Sequence, residues 1–82
     1  METRRNLAAA LMDSGDPAGA EHEARLAVSL GHDADSYDLL ARALALQGKI
    51  SDAVAELRRA LELSPHDVRI EDDLQRVLAA RR

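Results

Sequence analysis

The chain has no cysteine, no tryptophan and no phenylalanine. Without cysteine there is no disulfide framework, no thiolate metal site and no thiol nucleophile. Tyr37 is the one aromatic side chain in 82 residues, which argues against stacking of bases on a single-stranded nucleic acid. It also leaves the core to aliphatic groups. The chain contains no run of about 18 apolar residues and no basic segment followed by an apolar one at its start. No membrane insertion is expected, and the location stays open with the cytoplasm favoured. The formal net charge of −4 argues against a general phosphate-binding or nucleic-acid role.

What is present is alanine, leucine and charge. Apolar residues make up 46% and charged residues 32% of the chain, a balance that suits a soluble globular fold. Alanine and leucine at this density favour helices packed close together. A domain of this size buries only roughly 60–65% of its unfolded surface, so the core is expected to be thin.

Apolar residues recur at three- and four-residue steps: Leu7 and Leu11; Ala20, Ala24, Ala27 and Leu30; Leu40 and Leu44; Ala53, Leu57, Ala60 and Leu61; Ile70, Leu74, Val77 and Leu78. This is helical periodicity, and it predicts five amphipathic helices over residues 2–14, 17–30, 34–47, 51–63 and 68–80. No strand signal is present. The breaks between helices are chemically explicit. Gly15-Asp16-Pro17 supplies a turn glycine, a capping aspartate and a proline suited to a first helical position. Gly48 closes the third helix, with Ser51 or Asp52 as the cap of the fourth. Gly31-His32-Asp33 and Ser64-Pro65-His66-Asp67 mark the remaining boundaries, with Asp33 and Asp67 as N-caps.

The chain also repeats itself. A shift of 33 positions pairs Leu7-Ala8 with Leu40-Ala41, Ala10 with Ala43, Leu11 with Leu44, Gly15 with Gly48 and Ala20 with Ala53; Glu23, Arg25, Ala27 and Leu30 fall on Glu56, Arg58, Ala60 and Leu63. These ten identities compare with roughly three or four expected from such a composition. The chain is therefore read as a repeat protein.

Period and anchors resemble the tetratricopeptide repeat, a helix-turn-helix unit of about 34 residues. In residues 34–67, Tyr37 stands at the family's first aromatic position, Leu40-Ala41 at its Leu-Gly pair, Leu44 at the next large residue, Gly48 in the turn, Ala53, Leu57 and Ala60 along the second helix, and Pro65 at the closing proline. Residues 1–33 match more loosely, with Arg4 in place of the aromatic, Ala24 in place of a large residue and His32 in place of the proline. Residues 68–82 carry a first-helix pattern with Glu71 at the aromatic position and resemble the solvating helix that ends such arrays. The resemblance implies an all-α fold: antiparallel helix-turn-helix repeats in a right-handed superhelical α-solenoid, made of a degenerate unit (1–33), a second unit (34–67) and a C-terminal capping helix (68–82), together forming one domain. Arg4 and Glu71 would then sit at the ends of the stack, where a charge reaches water.

No catalytic constellation emerges. His22, His32 and His66 have no second histidine at the four-residue spacing of a helical metal site. The His32-Asp33 and His66-Asp67 pairs are read as repeat junctions in which the aspartate caps a helix, and the serines as turn, cap or surface residues without a partnered base. No enzymatic activity, cofactor or metal is expected.

The resemblance further implies that the first helix of each unit lines a concave face that binds a protein or peptide partner. Carried onto this chain, the inward positions fall on Glu2, Arg5, Ala9, Met12 and Asp13, then Asp35, Asp38, Arg42 and Leu46, then Arg69, Asp72, Arg76 and Ala79. Asp38 with Arg42 and Asp72 with Arg76 are also acid-before-base pairs four residues apart. The family's grip on chaperone C-termini is not expected, because Ala9, Leu39 and Asp73 depart from its basic and amide set. Two alternatives stand beside the interaction module. One is a self-association element acting through the end helices, and the other is a regulatory appendage of a larger enzyme or assembly factor.

Overall fold

Two glycines in the left-handed region give the fold its period. The computed structural model describes the backbone of residues 2–31 and 33–80, and the side chains of residues 7–31 and 33–80. Within it Gly15 has φ +86° and Gly48 φ +79°. At both, the chain leaves a helix by the same pair of hydrogen bonds: Gly15 N–H to Met12 O (3.1 Å) and Asp16 N–H to Leu11 O (2.7 Å), then Gly48 N–H to Ala45 O (3.0 Å) and Lys49 N–H to Leu44 O (2.9 Å). This is the Schellman arrangement, which needs a residue tolerant of positive φ after the last helical turn. The 33-residue repetition of the sequence is thus a repetition of backbone geometry.

The elements are α1 (Glu2–Asp13), α2 (Pro17–Gly31), α3 (Ala34–Leu46), α4 (Ile50–Leu63) and α5 (Val68–Ala79), with no strand among the described residues. Every boundary lies within a residue of the periodicity. Asp16 caps α2 by accepting from Gly19 N–H at 3.0 Å, and Pro17 takes the first helical position. Asp33 caps α3 through Ser36 N–H at 2.8 Å, and Asp67 caps α5 through Arg69 N–H at 3.0 Å. The expected cap of α4 does not form. Its N-cap is Lys49, with no side-chain cap bond, and Ser51 and Asp52 lie exposed inside the first turn. The tight turn at Gly48 passes straight into α4, so the Lys49 carbonyl accepts from Ala53 N–H at 3.0 Å two residues earlier than a Ser51 cap would allow. Asp52 still complements the positive end of the helix.

Consecutive helices pack as hairpins, α1 on α2 and α3 on α4, and α3 also touches α1, α2 and α5. The first helices of the hairpins, α1 and α3, contact one another and α3 contacts α5, whereas α2 and α4 do not approach each other. The α1–α3–α5 layer is therefore the inner, concave side of the stack. The buried core is half alanine: Ala8, Ala20, Ala24, Ala27, Ala41, Ala43, Ala53 and Ala60 are each fully buried. A methyl group at the crossing point lets helix axes approach closely. Leu40, Leu44 and Leu57 fill the middle of the stack and Ile70 seats α5. Glu71 is exposed, in keeping with its place at an end.

A polar tie that periodicity does not show links the two hairpins. Gln47 Nε2 donates to Glu21 Oε1 at 2.8 Å and to Ala43 O at 3.1 Å. Lys49 Nζ meets the same Glu21 oxygen at 3.1 Å, and Arg25 bonds the other at 2.8 Å. The Gln47 hydrogen bond, aided by Arg25 and Lys49, lowers the Glu21 pKa to about 2. Its contribution is complete above the ordinary carboxylate range and is lost as pH falls toward 2.

The core holds one polar misfit. Ser36 is 1% exposed, and its Oγ has no hydrogen-bond partner. An unmatched buried hydroxyl is a cost, so Ser36→Ala is expected to raise unfolding stability by roughly 0.5–1.5 kcal/mol, measured by urea denaturation. A decrease would show that the hydroxyl is satisfied in solution.

Candidate partner-binding groove

The inner layer is not flat. Between α1, α3 and α5 lies a cavity of about 390 Å³ lined by Met12 and Asp13 from α1, Arg42, Ala45 and Leu46 from α3, Asp73, Arg76 and Val77 from α5, and Leu57 from α4 beneath. Its floor is aliphatic and its rim is charged. Leu46 is 62% exposed, an unusual state for a leucine in the middle of a stack. It follows from the fold: Leu46 ends α3 on the face opposite the Leu40–Leu44 stripe that packs inward.

The groove residues expected from the sequence divide into groups. Met12, Asp13, Arg42, Leu46 and Arg76 converge on the cavity. Ala9 lies one turn before Met12, half-buried and packed on the core. Asp38 and Asp72 sit one turn before Arg42 and Arg76 and pair with them, at 3.6 Å and 2.9 Å. Asp35 and Arg69 lie elsewhere. They line a second, more polar depression with Asp33, Ala34, Leu63, Ser64 and Asp67, where the Arg69 guanidinium reaches Asp35 and Asp67 at 3.1 Å each. Those ion pairs fasten the start of α5 to the start of α3. Arg69 lowers the Asp67 pKa, and Asp67, then Asp35, raise that of Arg69. The side chains of Glu2 and Arg5 lie outside the described residues.

Four lining residues were not among the expected positions: Ala45, Leu57, Asp73 and Val77. Two of them carried a usable signal. Ala45 follows Arg42 by three residues and Asp73 precedes Arg76 by three, so each shares a face with a residue already assigned inward. Val77 adjoins Arg76 and was placed in the apolar stripe of the last helix. Leu57, itself fully buried, borders the cavity from the second layer, where α4 crosses beneath α3 and α5.

Asp38 is the electrostatic anomaly. Its side chain is 14% exposed, and no donor reaches Oδ1. The carboxyl of Asp73, on α5, is the neighbouring acidic group that acts on it. Burial first, and then Asp73, raise the Asp38 pKa to about 7, against the opposing pull of Arg42 and Arg69. A buried carboxyl beside a second acid keeps its proton to higher pH than a free one. Among the described residues no cation pairs with Asp73 or with Asp13.

The model of the tetratricopeptide repeat matches residues 34–80. No curated protein matches the chain. None of the helices described is long and apolar enough to cross a membrane, and no group of three or more His, Cys, Asp or Glu side chains among the described residues is placed to hold a metal ion.

The raised Asp38 pKa has a definite sign in stability. The folded state holds a proton that the unfolded chain releases near pH 4, so this pair's contribution is complete below about 4 and is lost as pH rises through about 7. Asp38→Asn supplies a donor to Asp73 and removes the titration. It is expected to flatten the fall in stability between pH 5 and 8 and to gain roughly 1 kcal/mol at the upper end, read from urea midpoints at both pH values. An unchanged slope would place the titration on another group.

Proposed function

We infer that this chain, which belongs to the tetratricopeptide repeat family, is a protein-interaction module that holds a peptide or protein partner in the groove between α1, α3 and α5. Tetratricopeptide repeats generally mediate protein–protein interaction and are typically non-catalytic. The use of this groove rests on one observation above the others: an aliphatic cavity of about 390 Å³ on the inner layer, with a 62%-exposed leucine on its edge. An apolar floor under a charged rim is the arrangement by which an extended or helical segment is gripped. In this reading residues 1–33 are a degenerate repeat, 34–67 a complete one and 68–82 the cap. Met12, Arg42, Leu46 and Arg76 make direct contact, Ala9 extends the surface along α1, and Asp38 and Asp72 orient the arginines. Asp35 and Arg69 serve the partner only if it reaches past the groove to the second depression.

Leu46→Asp tests the surface without threatening the fold, because an exposed leucine contributes little to stability. Its unfolding midpoint is expected to stay within about 0.5 kcal/mol of the wild type. Partner capture from a lysate of the source cells is expected to drop at least about ten-fold, whereas Arg58→Glu on the outer helix α4 should leave it unchanged. Equal capture by wild type and Leu46→Asp would remove the groove from the interface.

Self-association is the second reading, and it rests on a contrast between ends and middle. Leu7 is 46% exposed, whereas Leu40, its counterpart 33 residues on, is 2% exposed. A leucine that is buried inside the stack is bare at its edge. Sedimentation equilibrium over a concentration series separates the two: the interaction module predicts a constant 8.9 kDa, and self-association a mass that rises and then falls back in Leu7→Glu.

A further inference from the structure

The charges around the groove say which kind of segment it suits. Its rim carries Asp13, Asp73, Arg42 and Arg76, and Asp38 and Asp72 stand directly behind the two arginines as their ion-pair partners. Each guanidinium is therefore already faced by a carboxylate of its own helix. Asp13 and Asp73 have no such counter-charge among the described residues, and Asp73 presses against Asp38, whose Oδ1 is buried without a donor. Among the described residues the groove thus has four carboxyl groups against two guanidinium groups, in a chain that is itself acidic at a formal net charge of −4. An acidic segment would reach arginines already partly neutralised by their own helices, and would meet two unpaired carboxylates as it did so.

We propose that the occupant of the groove is a segment carrying a lysine or arginine next to an aliphatic side chain, with the cation between Asp13 and Asp73 and the aliphatic group on Met12, Leu46 and Val77. This rests on the groove being the interaction surface. The cation supplies what the Asp38–Asp73 contact lacks, a donor and a positive charge on the solvent side of Asp73, the member of the pair that lines the cavity. The aliphatic neighbour covers the exposed part of Leu46 and excludes water from the new ion pair, which strengthens it.

Binding of this kind expels a proton. The charged groups acting on Asp38 are Arg42 on its own helix and Asp73 and Arg69 on α5; α1 brings Asp13 to the same cavity, and α4 contributes only the uncharged Leu57. Free, the Asp38–Asp73 pair holds one proton around neutral pH. Occupied by a cation, both carboxylates ionise and the proton leaves to solvent. Affinity is therefore expected to rise with pH, by about ten-fold between pH 6 and 8 for one proton released from a group titrating near 7.

The test uses the whole chain and a bead-displayed library of acetylated, amidated octapeptides of random sequence. Wild type, Asp73→Asn and Leu46→Asp are sorted against it, each checked for helicity by circular dichroism. Asp73→Asn removes a like-charge contact, so its folding is expected to be intact. Wild type should enrich peptides with Lys or Arg adjacent to Leu, Ile or Met. Asp73→Asn should keep the aliphatic preference and lose the basic one, and Leu46→Asp should lose the aliphatic one. A representative selected peptide should then bind wild type about ten-fold more tightly at pH 8 than at pH 6, with the pH dependence absent in Asp73→Asn. Enrichment of Asp or Glu, or a basic preference that survives in Asp73→Asn, would overturn the assignment of the occupant while leaving the groove as the surface. A selection unchanged in Leu46→Asp, or none at all by wild type, would overturn the groove itself.

Discussion

Everything in this structure depends on how closely its helices approach, and alanine sets that distance. Ala8 and Ala20 stand at equivalent places to Ala41 and Ala53, and all of them are fully buried. At such a crossing a larger side chain would force the axes apart or push neighbours off their rotamers. The tight spacing has a consequence for volume: only the central Leu40, Leu44 and Leu57 and the single isoleucine of α5 are large and fully buried apolar groups. A core this thin draws its cohesion from the stacking of hairpins on one another, since neither hairpin has enough apolar surface to stand alone. It also explains why polar ties matter. The Glu21–Gln47–Lys49 knot joins one hairpin to the next, and the Arg69 pairs join α3 to α5, both at seams where the apolar contact is narrow.

The sequence made much of this legible because each helix obeys local chemistry. A glycine at positive φ, an aspartate one residue before a helix and an alanine every half-unit are each forced by a short-range requirement, and Gly15, Gly48, Asp16, Asp33 and Asp67 perform those roles in the structure. What was illegible is non-local. Gln47 looks like an ordinary turn residue until α2 is folded against it, and its partner Glu21 lies 26 positions away. Ser51 and Asp52 had the right chemistry for a cap, but the tight turn that precedes them begins the helix at Ile50 and leaves their side chains without the role. The groove shows the same division. Met12, Arg42, Leu46 and Arg76 were placed by repeat position, whereas the second depression that holds Asp35 and Arg69 follows from the angle at which α5 meets α3, which no periodicity encodes.

The same division separates the two kinds of charge pair. Asp38–Arg42 and Asp72–Arg76 are helix-local, exposed at the arginine, and of the kind that contributes a few tenths of a kcal/mol. The Asp38–Asp73 contact is different in origin, because two separate helices bring like groups together in a place where Asp38 is largely withdrawn from water. Nothing in the packing of the core demands acids there: Ile70 and Val77 seat α5, and an amide at either position would satisfy the contact. A pair of carboxyl groups that weakens the seating of α5 above neutral pH is a cost to the fold.

That cost gains a rationale from its location. Asp73 opens onto a face of the stack where an apolar surface is left uncovered, so a repulsion that the isolated chain relieves only by holding a proton is relieved by whatever positive group arrives there. Stability and recognition then draw on the same two side chains. The free module holds a proton between Asp38 and Asp73 and keeps α5 in place, and the occupied module exchanges the proton for a cation. The helix that closes the stack, with Ile70 and Val77 as its buried residues, is in this way seated more firmly when the groove is filled than when it is empty.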